Sequence, residues 1–230
     1  MVARVGLMTR APWPGLSMTR LAAVIGARQA AEFARAVLLD VSEPLAASDE
    51  WQTTLFVEPP SATGELAALT GITDVVPQEP GRIGARMSGV VSTLRGRGSG
   101  AVIVVGSDIA LLGPTQIDAA LRELGANDIV FGPARDGGYY LLALADGFGA
   151  DLAPLFDDAA IPWSTDAVLS ASFAVAEAEG WRVGTVELLT DVDTAADIVS
   201  LRAELNAEPD RARARRTREF LARLEEEGLG

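Results

Sequence analysis

The 230-residue chain has no cysteine, no histidine and no lysine, and each absence removes a block of chemistry. Without cysteine or histidine there is no disulfide, no thiolate nucleophile, no Ser-His-Asp triad and no His/Cys zinc site. Without lysine there is no Schiff base, no pyridoxal phosphate chemistry and no Walker-type loop, so a phosphate clamp has to be built from arginine. Carboxylates are left to do the work. The metal they can hold, with help from substrate phosphates, is a hard, oxygen-seeking ion such as Mg²⁺ (or Mn²⁺). Long hydrophobic runs are also missing. None approaches the roughly 18 residues that span a bilayer, and the N-terminus lacks a signal-peptide pattern, so the expected location is cytoplasmic, with no membrane partner.

What is present is acidic and apolar. The 32 acidic residues outweigh the 19 arginines to give a net charge of −13, the wrong sign for a nucleic-acid or anionic-membrane footprint. The expected partners are therefore small molecules. A 49% hydrophobic content is enough for one sizeable α/β core.

The central feature is Ala101–Val105, an unbroken apolar run that reads as a strand buried on both faces of a parallel sheet. Gly106-Ser107-Asp108 ends it, so Asp108 should lie at the carboxyl edge of a central strand, where open α/β sheets place ligands. A crossover helix over Pro114–Leu124 then leads to Ile129–Phe131, giving a βαβ unit. Asp136-Gly137-Gly138 between two apolar runs is a strong hairpin signal, and its glycines would equally let a backbone approach a ligand. Upstream, a strand over Arg4–Thr9 and a Pro/Gly-rich loop precede one helix from Thr19 to about Leu39. Downstream, a strand over Arg182–Leu188 is followed by Asp191 and Asp193, which a parallel sheet would bring close to Asp108. Asp193 also reads as a helix N-cap with Thr194 and Asp197, and cap and ligand are compatible roles. Arg211–Glu227 reads as a separate helix, Arg-rich first and Glu-rich last, against the helix dipole.

Taken in order, Ala11-Pro12-Trp13-Pro14-Gly15 with Thr19-Arg20-Leu21, Ile83–Met87, Gly106-Ser107-Asp108, Gly132–Leu141, Ile161-Pro162-Trp163-Ser164-Thr165 and Asp191-Val192-Asp193-Thr194 resemble the glycosyltransferase-like family known as rSAM/selenodomain-associated transferases. That family is similar to the 2-phospholactate guanylyltransferases and the molybdenum-cofactor nucleotidyltransferases. The resemblance, which ends at about Leu205, implies an α/β, GT-A-like (Rossmann-like) three-layer sandwich with a mostly parallel sheet, spanning residues 1–208; the tail helix read from the residues would be a C-terminal helical extension over 209–230 on its surface. It also implies roles by position. Arg10, Ala11, Pro12, Gly15, Arg20 and Arg86 would bind a nucleotide. Asp108, with Asp193 and Asp191, would hold the metal, and Asp108 and Arg20 would be catalytic. Asp136, Gly137, Gly138, Tyr139, Trp163 and Ser164 would line an acceptor or sugar pocket. The implied activity is nucleotidyl transfer from a nucleoside triphosphate to a small phosphorylated acceptor, or alternatively glycosyl transfer from a nucleotide-sugar. Two positions depart from the family. Met18 stands where relatives carry Lys, and Asp108-Ile109-Ala110 where they carry Asp-Cys-Pro; losing that Lys removes one phosphate cation, and a nucleotide-binding protein without catalysis is the third reading. A homodimer through the tail helix is left open.

Overall fold

The computed structural model describes residues 2–227. In chain order the elements are β1 (Ala3–Arg10), α1 (Thr19–Ile25), α2 (Ala27–Ala46), β2 (Trp51–Glu58), α3 (Thr63–Thr70), β3 (Val75–Pro77), α4 (Ile83–Arg95), β4 (Val102–Gly106) and α5 (Pro114–Glu123). They continue with β5 (Ile129–Pro133), β6 (Tyr139–Leu144), α6 (Ala153–Phe156), α7 (Val168–Ala178), β7 (Val183–Thr185), α8 (Ala195–Ala207) and α9 (Arg215–Glu226).

The seven strands form one sheet in the order β3-β2-β1-β4-β6-β5-β7. All neighbours are parallel except at β6, which runs antiparallel to both β4 and β5. The expected βαβ unit is thus modified: β4 and β5 are parallel, but the hairpin folds β6 back between them. The physical reason is the short Asp136-Gly137-Gly138 turn, which can close only an antiparallel pair.

Alternate residues of the central strands feed the two faces. Ile103 and Val105 of β4 join Val5 and Leu7 of β1 in a cluster under α1, α2, α5 and α8, while Val102 and Val104 face α4, α6 and α7. Ile103 and Val104 are 0% and 3% exposed, which explains why β4 shows no polar alternation in sequence. Each such side chain contributes roughly 1.5–3 kcal/mol of burial against the entropy of ordering the chain. The result is a three-layer α/β sandwich.

The single helix expected from Thr19 to Leu39 is two. Gly26 adopts φ 87°, a left-handed conformation that breaks the hydrogen-bond ladder, and the second helix continues to Ala46. At the other end, α9 lies along α2: Phe220 stacks on Phe33 at 5.4 Å between ring centroids, and Leu221 and Leu224 are buried in the same cluster as β1. Its basic first turn is offset by α2, because Asp40 accepts from the backbone N–H groups of Arg216 (3.1 Å) and Thr217 (2.8 Å).

Candidate functional site

The carboxyl ends of β1, β2, β3 and β4 lie along one edge of the sheet, and the chain leaves β1 towards β2 on one side while β4 sits on the other. That reversal of strand order is where open α/β sheets form a crevice. Here the crevice is a cleft of about 750 Å³. Ser107, just past β4, donates to Thr9 Oγ1 at the end of β1 (2.9 Å) and ties its floor together.

Four carboxylates from three chain segments line the cleft: Asp108 after β4, Asp136 in the hairpin turn, and Asp191 and Asp193 before α8. The segment carrying the last two continues alongside β5 after β7 ends, through Val186 N–H to Phe131 O (3.0 Å) and Leu189 N–H to Pro133 O (3.1 Å). Asp108 is open to solvent on its cleft side, yet the walls surround it closely. Desolvation, then the charges of Asp136 and Asp193, therefore push its pKa up. Asp191 is raised to about 7, first by desolvation and then by Asp136 and Asp108. The carboxylates thus repel one another across the cleft. Among the described residues no three acidic groups converge tightly enough to form a metal cage alone. Two carboxylates facing open space could hold a hard cation only with phosphate oxygens and water completing its shell.

Asp193 is not the N-cap of α8. That position belongs to Thr194, whose N–H (2.7 Å) and hydroxyl (2.8 Å) both donate to Asp197 Oδ2. Asp193, one residue earlier, keeps its carboxylate for Arg20, whose Nη1 donates to Oδ2 at 2.7 Å. Arg20 therefore reaches the acidic cluster from α1, although its side chain lies on the outer rim rather than on the cleft wall.

The opposite wall is cationic. Arg10 and Arg86 both pair with Glu58, at 3.0 and 2.6 Å, and Arg86 is held well inside, with desolvation lowering its pKa below the usual guanidinium value. Beyond it, Trp163, Tyr139, Met87 and Ile83 make an apolar stretch of wall. Tyr139 stacks edge-on to Trp163 at 6.5 Å, and burial pushes its phenol far above the usual range, which leaves it a neutral wall rather than a proton carrier. The Asp136 turn is locked against the Trp163-Ser164-Thr165 loop. Gly137 has φ 89°, and a β-carbon there would collide with the carbonyl oxygen of Asp166. Ser164 is left-handed at φ 66° without being glycine, a strain that clusters at binding sites.

Of the residues singled out by sequence, Arg10, Arg86, Asp108, Asp136, Gly138, Tyr139, Trp163, Ser164, Asp191 and Asp193 come together in this cleft. The others do not line it. Ala11 is fully buried, with its N–H on Glu58 O (2.7 Å); Pro12 and Gly15 lie in the loop outside; Gly137 faces Asp166. Sequence reasoning passed over Gln78, Ser17 and Thr9, all of which line the cleft. Gln78 and Thr9 stand at ends of parallel strands, so the edge rule applied to Asp108 would have found them.

Comparison with solved structures places this architecture. A proposed nucleotide-diphospho-sugar transferase from Desulfovibrio desulfuricans G20 superposes with a TM-score of 0.88 at 24% identity, over 100% of this chain and 97% of that one. The inositol-1-phosphate CTP transferase of T. maritima gives 0.52 at 15% identity, over 89% of this chain and 94% of that one. A Mycobacterium tuberculosis H37Rv protein, crystallised with manganese, gives 0.50 at 16% identity, over 87% and 98%. At these identities the likeness shows the fold, that of nucleotidyl- and nucleotide-sugar transferases. A search of curated proteins finds no match. A family profile matches residues 41–165, more than half of the sequence, and the chain thereby belongs to the family described as "Uncharacterized protein conserved in bacteria (DUF2064)".

Proposed function

We propose that the protein is a nucleotidyltransferase that uses a divalent cation, Mg²⁺ or Mn²⁺, to join the nucleotide of a nucleoside triphosphate to a small phosphorylated acceptor. The observation that carries this reading is the division of one cleft at the sheet's carboxyl edge into an acidic wall and an arginine wall. Asp108 and Asp193, with Asp191 beside them, would hold the cation, which when bound supplies neutralising charge to the triphosphate. Arg86 and Arg10 stand ready for phosphate oxygens on the facing wall, and the Asp136–Tyr139–Trp163 end would seat the acceptor. In the transfer, an acceptor phosphate oxygen attacks the α-phosphorus, the bond from that phosphorus to the bridging oxygen breaks, and pyrophosphate leaves. Positioning and electrostatics are what the side chains contribute. The relation of fold to a CTP transferase of a phosphorylated cyclitol supports this reading.

A second reading, glycosyl transfer from a nucleotide-sugar with release of a nucleoside diphosphate, is favoured by the likeness to the proposed nucleotide-diphospho-sugar transferase. A third, nucleotide binding without turnover, is favoured by Met18 at the family's Lys position. Incubation with each nucleoside triphosphate, or with nucleotide-sugars, and a panel of phosphorylated acceptors separates them: pyrophosphate release supports the first, diphosphate release the second, binding alone the third. Asp108→Asn, which keeps shape and loses charge, should fold normally and lose Mg²⁺-dependent triphosphate binding. Unchanged affinity in that variant would remove Asp108 from the cation site.

A further inference from the structure

Gln78, the residue after β3, is 7% exposed, and both ends of its side-chain amide and its backbone N–H are engaged. Its side-chain NH₂ donates to the carbonyls of Thr9 and Phe56, both at 2.9 Å, at the ends of β1 and within β2. Its backbone N–H donates to Val57 O at 2.9 Å. The side-chain oxygen accepts from Arg86 Nε at 2.8 Å and from Arg86 Nη2. Two carbonyls on one side and a guanidinium on the other fix which end of the amide is which.

Arg86 is therefore held along one edge of its guanidinium. Nε and Nη2 both donate to Gln78, and Nη2 also forms an ion pair with Glu58 at 2.6 Å. Nη1 has no hydrogen-bond partner among the described residues, on a side chain that lines the cleft. Glu58 is shared with Arg10, so two guanidiniums meet one carboxylate and this wall keeps one net positive charge. A donor pair on a charged fork, held rigidly and short of anion, suits a phosphate oxygen.

We propose that Gln78 is a positioning residue that aims Arg86 Nη1 at a phosphate oxygen of the bound nucleotide. The inference rests on the nucleotide reading of the cleft and extends it to a residue that acts through Arg86. A freely rotating arginine would have to be ordered on binding; one splinted to two strands is ordered already. Neither glutamate nor leucine could replace the amide, because the first lacks donors for the strand carbonyls and the second lacks an acceptor for Arg86.

The test is a double-mutant cycle read by calorimetry, with inorganic tripolyphosphate, each ribonucleoside triphosphate and each free nucleoside as probes, all with Mg²⁺. Gln78→Met should weaken tripolyphosphate and triphosphate binding by about tenfold, the scale of one charge-assisted hydrogen bond, and leave nucleoside binding level. Arg86→Met should do the same. The double variant should be no weaker than Arg86→Met alone, since Gln78 acts only through that arginine. Losses that multiply would mean Gln78 supports the fold generally, and overturn the inference. So would a loss confined to nucleosides, which would make Arg86 a reader of the base. If Gln78→Met does not fold, Gln78→Asn, one methylene too short to reach both partners, runs the same cycle. A wild-type protein that binds no phosphate probe overturns the nucleotide reading itself, an outcome distinct from either failure of the cycle.

Discussion

At the residue scale the cleft stores charge repulsion that a ligand can relieve. Asp191 is held at about 7 against an ordinary 3.8, mainly by desolvation. Between roughly pH 4 and pH 7 the folded chain keeps a proton on this group that the unfolded chain has released, so its contribution to stability falls as pH rises through that window. Asp191→Asn should therefore match the wild type in thermal stability below about pH 4, exceed it at pH 8, and flatten the slope between; a wild-type slope unchanged by the substitution would show that other groups titrate there. Met18 gives a second prediction. It lines the cleft in a left-handed conformation, φ 49°, while Arg10 is tied to Glu58 and Arg20 to Asp193. Met18→Lys should add a cation with no carboxylate partner to those of Arg10 and Arg86 and tighten Mg²⁺-triphosphate binding by roughly 1.5–3 kcal/mol. Calorimetry reads the change, and a weaker complex would mean that arginine already balances the pocket.

At the element scale, legibility followed how much of each element's behaviour is local. β4 could be read because burial on both faces leaves an apolar run, and the Asp136-Gly137-Gly138 hairpin because a two-strand turn has its own chemistry. The insertion of β6 between β4 and β5 could not be read, since strand order depends on which partners compete for an edge. The break at Gly26 was hidden by an apolar stripe that runs on through it. In the site, the carboxylates were legible as residues after strands; of the Gln78–Arg86–Glu58 network only Arg86 was, through the family resemblance, because Gln78 and Glu58 are ordinary until three strand ends meet. The tail helix makes the same point. Its sequence reads as a separate helix set against its own dipole, but only the structure shows that Phe220 meets Phe33 and that Asp40 caps the first turn. Phe220, 3% exposed, should cost about 3–5 kcal/mol when cut to Ala, measured by denaturant unfolding. A loss under 1 kcal/mol would mean that α9 detaches without disturbing the sheet.

At the scale of the whole molecule, the −13 charge sets up a conflict with the proposed ligand. No helix among the described residues is long and apolar enough to cross a membrane, and the surface field of the chain is acidic. A triphosphate approaching it is repelled at long range and attracted only within reach of Arg10 and Arg86, on a wall whose own carboxylate they share. Salt screens the two differently. The Debye length is about 30 Å at 0.01 M and about 8 Å at 0.15 M, so added salt removes the distant repulsion while contacts of 3 Å in a partly enclosed cleft are screened far less. Without divalent cation, the association rate of a triphosphate should therefore rise with ionic strength across that range, the reverse of what a basic nucleotide-binding surface gives. Trp163 on the cleft wall and Trp13 in the adjoining loop offer a stopped-flow signal. With Mg²⁺ saturating the triphosphate, the approaching charge shrinks and the salt effect should shrink with it. A rate that falls with salt in both conditions would show that the arginine wall, rather than net charge, governs the field at the mouth of the cleft, and would place the incoming phosphates on the Arg10 and Arg86 side from the first encounter.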